Sequence, residues 1–101
     1  MNDFFLAQAP EFGLIPAPCN RHGMISTDVG NVSQQIPSVN WFFKITDDGS
    51  PLHSEGFKAA AGTDFAFAQA MRMGAVIAAA GLELLLTEEL RLAVADDFHR
   101  A

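Results

Sequence analysis

Apolar and polar residues alternate over residues 38–46, SVNWFFKIT. One face of this alternation is wholly apolar and consists of Val39, Trp41, Phe43 and Ile45. The other face is mixed and consists of Asn40, Phe42, Lys44 and Thr46. A period of two is typical of a β-strand with one buried face. The DDGSP stretch that follows contains Asp48-Gly49, a strong turn signal. The pattern therefore predicts a strand that ends in a turn.

The second half of the chain has helical patterns. Thr63 is a suitable N-cap, Asp64 complements the helix dipole, and Gly62 separates this helix from the preceding one. From Met73 to Leu86 the helix is apolar nearly all round, which predicts burial on more than one side. After Thr87 a terminal helix begins again, with an apolar stripe at a spacing of four, formed by Leu90, Val94 and Phe98.

These elements predict an α/β fold class with one partial domain over residues 1–101. It would contain one or two strands, a long buried helix and a terminal helix, with a short helix at residues 2–9 that stops at Pro10. The second strand would lie near Met24 to Ser26. Two strands cannot cover a helix that is apolar on all sides. We therefore expect the chain to self-associate strongly or to be part of a larger α/β protein.

Composition narrows the classes of partner. The 101 residues include 12 acidic and 6 basic ones, a net charge of −6, which would repel nucleic acid and anionic membranes. The single cysteine, Cys19, excludes an internal disulfide, and the first residues lack the features of a signal peptide, so we expect a cytoplasmic protein. Residues 65–86 are long enough to span a bilayer, but Gln69, Arg72 and Glu83 favour a buried core helix.

Few residues are candidates for chemistry when each is considered alone. His53 lies in a loop between the predicted strand and the helices, where ligands often bind, although most loop histidines are surface residues. Asp28 lies two residues before Gly30 and is followed by Asn31 and Ser33, a setting that is typical of a turn former or helix cap. Cys19 and His22 have a spacing that could hold a metal on a helix, but the prolines upstream disfavour one. His99 lies near the C-terminus of the predicted terminal helix, where a positive charge is favoured by the helix dipole, so its position needs no catalytic or metal-binding role.

The order of two motifs carries more information. The chain contains two motifs in order, separated by a short gap and followed by an alanine-rich helix. They are STDVGNVSQQIPSVNWFFKI and LHSEGFKAAAGTDFAFAQAM. This arrangement resembles the C-terminal end of the di-zinc amidohydrolases of the aminoacylase and glutamate-carboxypeptidase type, in particular the aminobenzoyl-glutamate hydrolase-like branch. The resemblance covers roughly residues 26–86. It implies that the chain corresponds to the last part of a catalytic domain whose central sheet lies largely elsewhere.

The resemblance also implies roles for individual residues. His53 occupies the position of a zinc ligand, and Asp28, Asn31 and Ser33 occupy polar positions where they would contact substrate or orient a ligand. The family hydrolyses amide bonds of N-acyl or N-aroyl amino acids or dipeptide-like substrates, using two zinc ions, a bound water and a glutamate base. No residues here match the other zinc ligands or the base, so we expect the isolated chain to be inactive.

Two functions remain open from the sequence. In the first, the chain is the C-terminal portion of a metal-dependent amidohydrolase and requires the N-terminal remainder of that enzyme as its partner. In the second, it is a non-catalytic module that oligomerises through Trp41, Phe43 and the surface of residues 73–86. A small membrane-associated protein is a third, weaker alternative. Neither of the first two functions involves nucleic acid or a membrane.

Overall fold

A computed structural model of the chain describes residues 2–16 and 27–100. Helices hold 65% of these residues. In chain order they are α1 (Asn2–Gln8), a 3-10 turn (Ala9–Phe12), α2 (Val29–Val32), α3 (Glu55–Ala61), α4 (Asp64–Leu86) and α5 (Glu88–Arg100). The fold is a small helical assembly in which α4 is the central element, since α1, the 3-10 turn, α3 and α5 all pack against it.

Local hydrogen bonds explain how the central helix α4 begins and how its last turn is satisfied. The Thr63 hydroxyl accepts a hydrogen bond from the Ala66 N–H at 3.1 Å and donates one to the Ala60 carbonyl at 2.8 Å. It thereby caps α4 and ties it to the end of α3, as the predicted N-cap requires. At the other end of α4, the Arg91 guanidinium donates to the Leu84 and Leu85 carbonyls, each at 2.8 Å. These bonds satisfy carbonyls that the helix leaves unpaired.

The core lies between α4 and the N-terminal segment. Val76 and Ala80 are fully buried on one face of α4, and Val76 clusters with Ala9 and Leu14. The Phe5 and Trp41 rings meet edge to face at a centroid distance of 5.4 Å, which brings the middle of the chain onto this cluster. The core is small, with seven buried apolar residues in the described part of the chain.

The predicted α/β fold class is wrong. No strand occurs within residues 2–16 and 27–100, and residues 38–46 form neither helix nor strand. The predicted buried face is correct only in part, because Val39, Trp41 and Ile45 are half-buried whereas Phe43, on the same predicted face, is 38% exposed. A strand also requires a neighbour that pairs with its backbone groups, and the described helices provide none. The second predicted strand, near Met24 to Ser26, lies outside the described residues.

The predicted burial of α4 on more than one side is also wrong. Only 22% of its most apolar 18-residue window is buried, although the helix is long and apolar enough to cross a membrane by length and composition. One face is packed, and the opposite face carries exposed large side chains such as Phe67, Met71 and Leu85. By contrast, the terminal helix is as predicted, since Leu90, Val94 and Phe98 are half-buried.

Candidate functional site

His53 lies in a turn that is built by local hydrogen bonds. Upstream, the Asp48 carboxylate accepts a bond from the Ser50 N–H at 2.8 Å, and the Asp48 N–H donates to the Thr46 hydroxyl at 3.2 Å. Bonds from Ser50 and Thr46 lower the pKa of Asp48 below its ordinary value of 3.8, the Ser50 hydroxyl contributing most. Lys44 and Asp47 form an ion pair beside this turn. The Asp48 carboxylate therefore stabilises the conformation of this loop.

The residue after His53 fixes the turn to a helix. The Ser54 hydroxyl accepts a hydrogen bond from the Phe57 N–H at 3.1 Å and donates to the Pro51 carbonyl at 2.6 Å. It is the N-cap of α3. Gly56, in the first turn of α3, allows Ser50 to approach closely, because a Cβ there would lie 2.8 Å from the Ser50 hydroxyl oxygen. The loop is thus held against α3 on both sides of His53.

The backbone of His53 is left-handed, with φ of 61°. Among the described residues it is the one non-glycine residue with a positive φ. Its side chain is exposed to solvent. A left-handed backbone at a non-glycine residue costs roughly 1–2 kcal/mol of conformational free energy, and such residues cluster at functional sites. An accessible imidazole on a well-anchored turn is a suitable arrangement for a ligand to a metal or substrate.

The other predicted site residues lie on α2 and its ends. Asp28 is at the N-cap position of α2, but its side chain makes no capping bond, and both Asp28 and Asn31 are exposed. The Ser33 hydroxyl donates to the Gly30 carbonyl at 2.8 Å. Within the described residues α2 packs against none of the other helices, α3 included. The structure therefore does not bring these three residues into one site with the helix that follows His53.

Two open grooves adjoin this region. The larger one, about 1070 Å³, lies between residues 40–46, the N-terminal segment and α4, and its lining includes Trp41, Phe57 and Met73. Gln69 contributes a nearly buried amide to this groove, and its Oε1 accepts a bond from Arg72 at 2.9 Å. The smaller groove, about 460 Å³, lies beside Asp48 and Gly56. His53 lines neither groove, although its neighbour Leu52 lines the larger one.

The side chains that could coordinate zinc are few in the described part of the chain. No group of three or more His, Cys, Asp or Glu side chains is close enough to hold a metal in the described part of the chain. His53 fits the role of a single ligand, because a neutral imidazole is a common zinc donor and this one is accessible. A complete centre needs further donors from outside residues 2–16 and 27–100. Cys19 and His22 lie outside the described residues, and His99 packs edge to face on Phe98 in the last turn of α5.

Sequence reasoning missed the residues that shape the His53 turn. Ser54 followed three residues later by an apolar position at the start of a helix is an N-cap signal that could have been found. Gly56 could not, because its role depends on the approach of Ser50 from across the loop. The left-handed backbone of His53 has no clear signal in the sequence, because histidine is enriched in this conformation relative to most residues but still adopts it in a minority of cases. No protein-family model, curated protein or solved structure matches the chain.

Proposed function

We propose that the chain is the C-terminal portion of a metal-dependent amidohydrolase and that His53 is one of its zinc ligands. The completed enzyme hydrolyses amide bonds of N-acyl or N-aroyl amino acids or dipeptide-like substrates, and the chain alone is inactive. The observation that carries the proposal is the exposed His53 imidazole on a left-handed turn, at the position where the LHSEGF motif implies a ligand.

The anchoring of the turn supports this role. Ser54 caps α3 and Gly56 admits Ser50, so the backbone on both sides of His53 is held by hydrogen bonds and packing. A metal ligand benefits from such fixed geometry, because less conformational freedom is lost when the metal binds. When bound, zinc supplies a water of lowered pKa for attack on the amide. The chain itself supplies the His53 donor.

Under this proposal Asp28, Asn31 and Ser33 contact the substrate or orient a ligand. Asp28 and Asn31 are exposed and make no side-chain contact that would already account for them within α2, which leaves their polar groups accessible. The remaining ligands and the glutamate base come from the N-terminal remainder of the enzyme. The acidic surface of the chain and its net charge of −6 favour neither nucleic acid nor an anionic membrane as the partner.

The test begins with the coding sequence immediately upstream. We expect it to encode a polypeptide with a G-C-G-H-N-like motif and further acidic ligands, and absence of such a polypeptide would refute the proposal. The two polypeptides are then co-expressed, and zinc content and hydrolysis of p-aminobenzoyl-glutamate are measured. We expect activity from the pair and none from the 101-residue chain alone.

The role of His53 is tested in that complex with His53→Asn. Asparagine tolerates the left-handed backbone but lacks the imidazole, so the turn is preserved while the ligand is lost. We expect zinc affinity to fall by more than about 100-fold, since even residues behind the ligands cost 10–100-fold. His99→Asn, at another exposed histidine, is the matched control and should leave zinc affinity unchanged. Equal zinc affinity in His53→Asn and the parent would exclude His53 as a ligand.

A further inference from the structure

The loop before His53 is organised around the Asp48 carboxylate. Its Oδ1 accepts a hydrogen bond from the Ser50 N–H at 2.8 Å, and the Ser50 hydroxyl also bonds to this carboxylate. The Asp48 N–H donates to the Thr46 hydroxyl at 3.2 Å, which fixes the backbone before the carboxylate. An aspartate that bonds the backbone N–H two residues further on forms a tight local turn. Asp48 therefore fixes the position of Ser50.

Ser50 in turn packs on the first turn of α3. A Cβ at Gly56 would lie 2.8 Å from the Ser50 hydroxyl oxygen and 3.5 Å from the Ser50 Cβ, so the two residues are in direct contact. The backbone of Gly56 is helical and does not itself require glycine, which is disfavoured in helices relative to alanine. The close approach of Ser50 explains a glycine at this position. The contact joins the loop around Asp48 to α3.

The turn that contains His53 is closed at both ends. Ser50 contacts Gly56 at one end, and the Ser54 hydroxyl caps α3 at the other. His53 itself makes no hydrogen bond or ion pair within residues 2–16 and 27–100. A left-handed backbone at a non-glycine residue is unfavourable and persists only where its surroundings hold it. The φ of 61° at His53 must therefore be maintained by the contacts on either side of it.

We propose that Asp48 is a positioning residue for His53. Its carboxylate holds Ser50 against Gly56, and this contact keeps the backbone of His53 left-handed, so that the imidazole is held in place before zinc binds. A ligand that is fixed in advance loses less conformational freedom on binding. Residues that orient a metal ligand affect metal affinity without touching the metal. The effect on zinc rests on the proposed role of His53 as a ligand, whereas the effect on its backbone does not.

The neighbouring carboxylate provides a contrast. Asp47 pairs with Lys44 and makes no bond to Ser50 within the described part of the chain. The two aspartates are adjacent and exposed and carry the same charge, so either would attract a nearby cation to a similar extent. They differ in the bond to Ser50. Substitutions at the two positions therefore separate positioning from the general effect of a negative charge.

The effect on the backbone is measured by NMR in the 101-residue chain without zinc. The NOE between the amide and Hα protons of one residue is strong at positive φ and weak at negative φ, so it reports the His53 turn directly. In Asp48→Ala we expect this NOE to fall to the level of the other loop residues. Asp48→Asn keeps an acceptor oxygen for the Ser50 N–H and should retain the NOE, and Asp47→Ala is the matched control. An unchanged NOE in Asp48→Ala, or an equal loss in Asp47→Ala, would overturn the proposal.

A change on the other side of the contact avoids any loss of helix propensity. Gly56→Ala favours α3 but places a Cβ 2.8 Å from the Ser50 hydroxyl oxygen, so the hydroxyl must move while Asp48 is left intact. We expect the NOE of His53 to weaken here as well, while helicity by circular dichroism stays the same or rises. Because both substitutions break one contact, the double variant should lose little more than either single one. Additive losses would show that the two residues act separately and would overturn the proposal.

Zinc affinity is then measured in the complex with the N-terminal remainder of the enzyme, with zinc alone as the probe. We expect Asp48→Ala and Gly56→Ala to weaken zinc binding by about 10-fold or more, and Asp48→Asn and Asp47→Ala to retain most of the affinity. If His53→Asn weakens zinc binding and Asp48→Ala does not, His53 remains a ligand and the positioning role is refuted. If His53→Asn has no effect either, the proposed function itself fails and the effect of Asp48 on zinc fails with it, whereas the NOE comparison still decides whether Asp48 holds the turn.

Discussion

At the scale of single residues, the backbone of His53 is the feature with the clearest energetic consequence. Its φ of 61° is unfavourable for any side chain with a Cβ. We expect His53→Gly to be more stable than His53→Ala by about 0.5–1 kcal/mol, the lower cost of glycine in this region being partly offset by its greater freedom when unfolded. Urea denaturation of both variants measures the difference. An alanine variant as stable as the glycine variant would mean that the turn is not held left-handed in solution.

Asp48 provides a pH-dependent prediction at the same scale. Hydrogen bonds from Ser50 and Thr46 hold its folded-state pKa below 3.8, so its contribution to stability is present above the unfolded pKa and is lost as the pH falls through the lower folded value. Ser50→Ala removes the hydroxyl that contributes most, and we expect the pKa of Asp48 to rise toward 3.8. Titration of the carboxyl carbon by NMR measures it. Ser38→Ala is the control, because the Ser38 hydroxyl bonds to Ile36 instead.

At the scale of elements, the caps were predictable and one cap supports a direct test. Thr63 satisfies the Ala66 N–H and also bonds back to α3 through the Ala60 carbonyl. We expect Thr63→Ala to lower the free energy of unfolding by about 1 kcal/mol, because a helix donor loses its partner. Thr63→Ser keeps the hydroxyl and should retain most of the stability. Thermal unfolding followed by circular dichroism compares them, and equal losses in both variants would assign the effect to the methyl group.

The helices and the predicted strand differ in how much of their stability is local. Thr63, Gly62 and the charges around α4 and α5 act within a few residues, so the bounds of these helices follow from the sequence. The alternation over residues 38–46 indicates only which side chains prefer burial, and it was right about Trp41 and Ile45. A strand depends on hydrogen bonds to another strand, which a short stretch of sequence does not specify. The strand prediction therefore failed, and its buried face was correct for three of four residues, since Phe43 is exposed.

At the scale of the whole molecule, the chain is expanded for its length. Its radius of gyration is 15.4 Å, against about 12.7 Å for a compact domain of this size. The apolar composition predicts a need for partners, which stays a prediction, and the core of the described residues is small. The sequence could not identify which face would remain exposed. Helix periodicity gives no answer where α4 is apolar all round, so the choice depends on how α1, α3 and α5 pack against it.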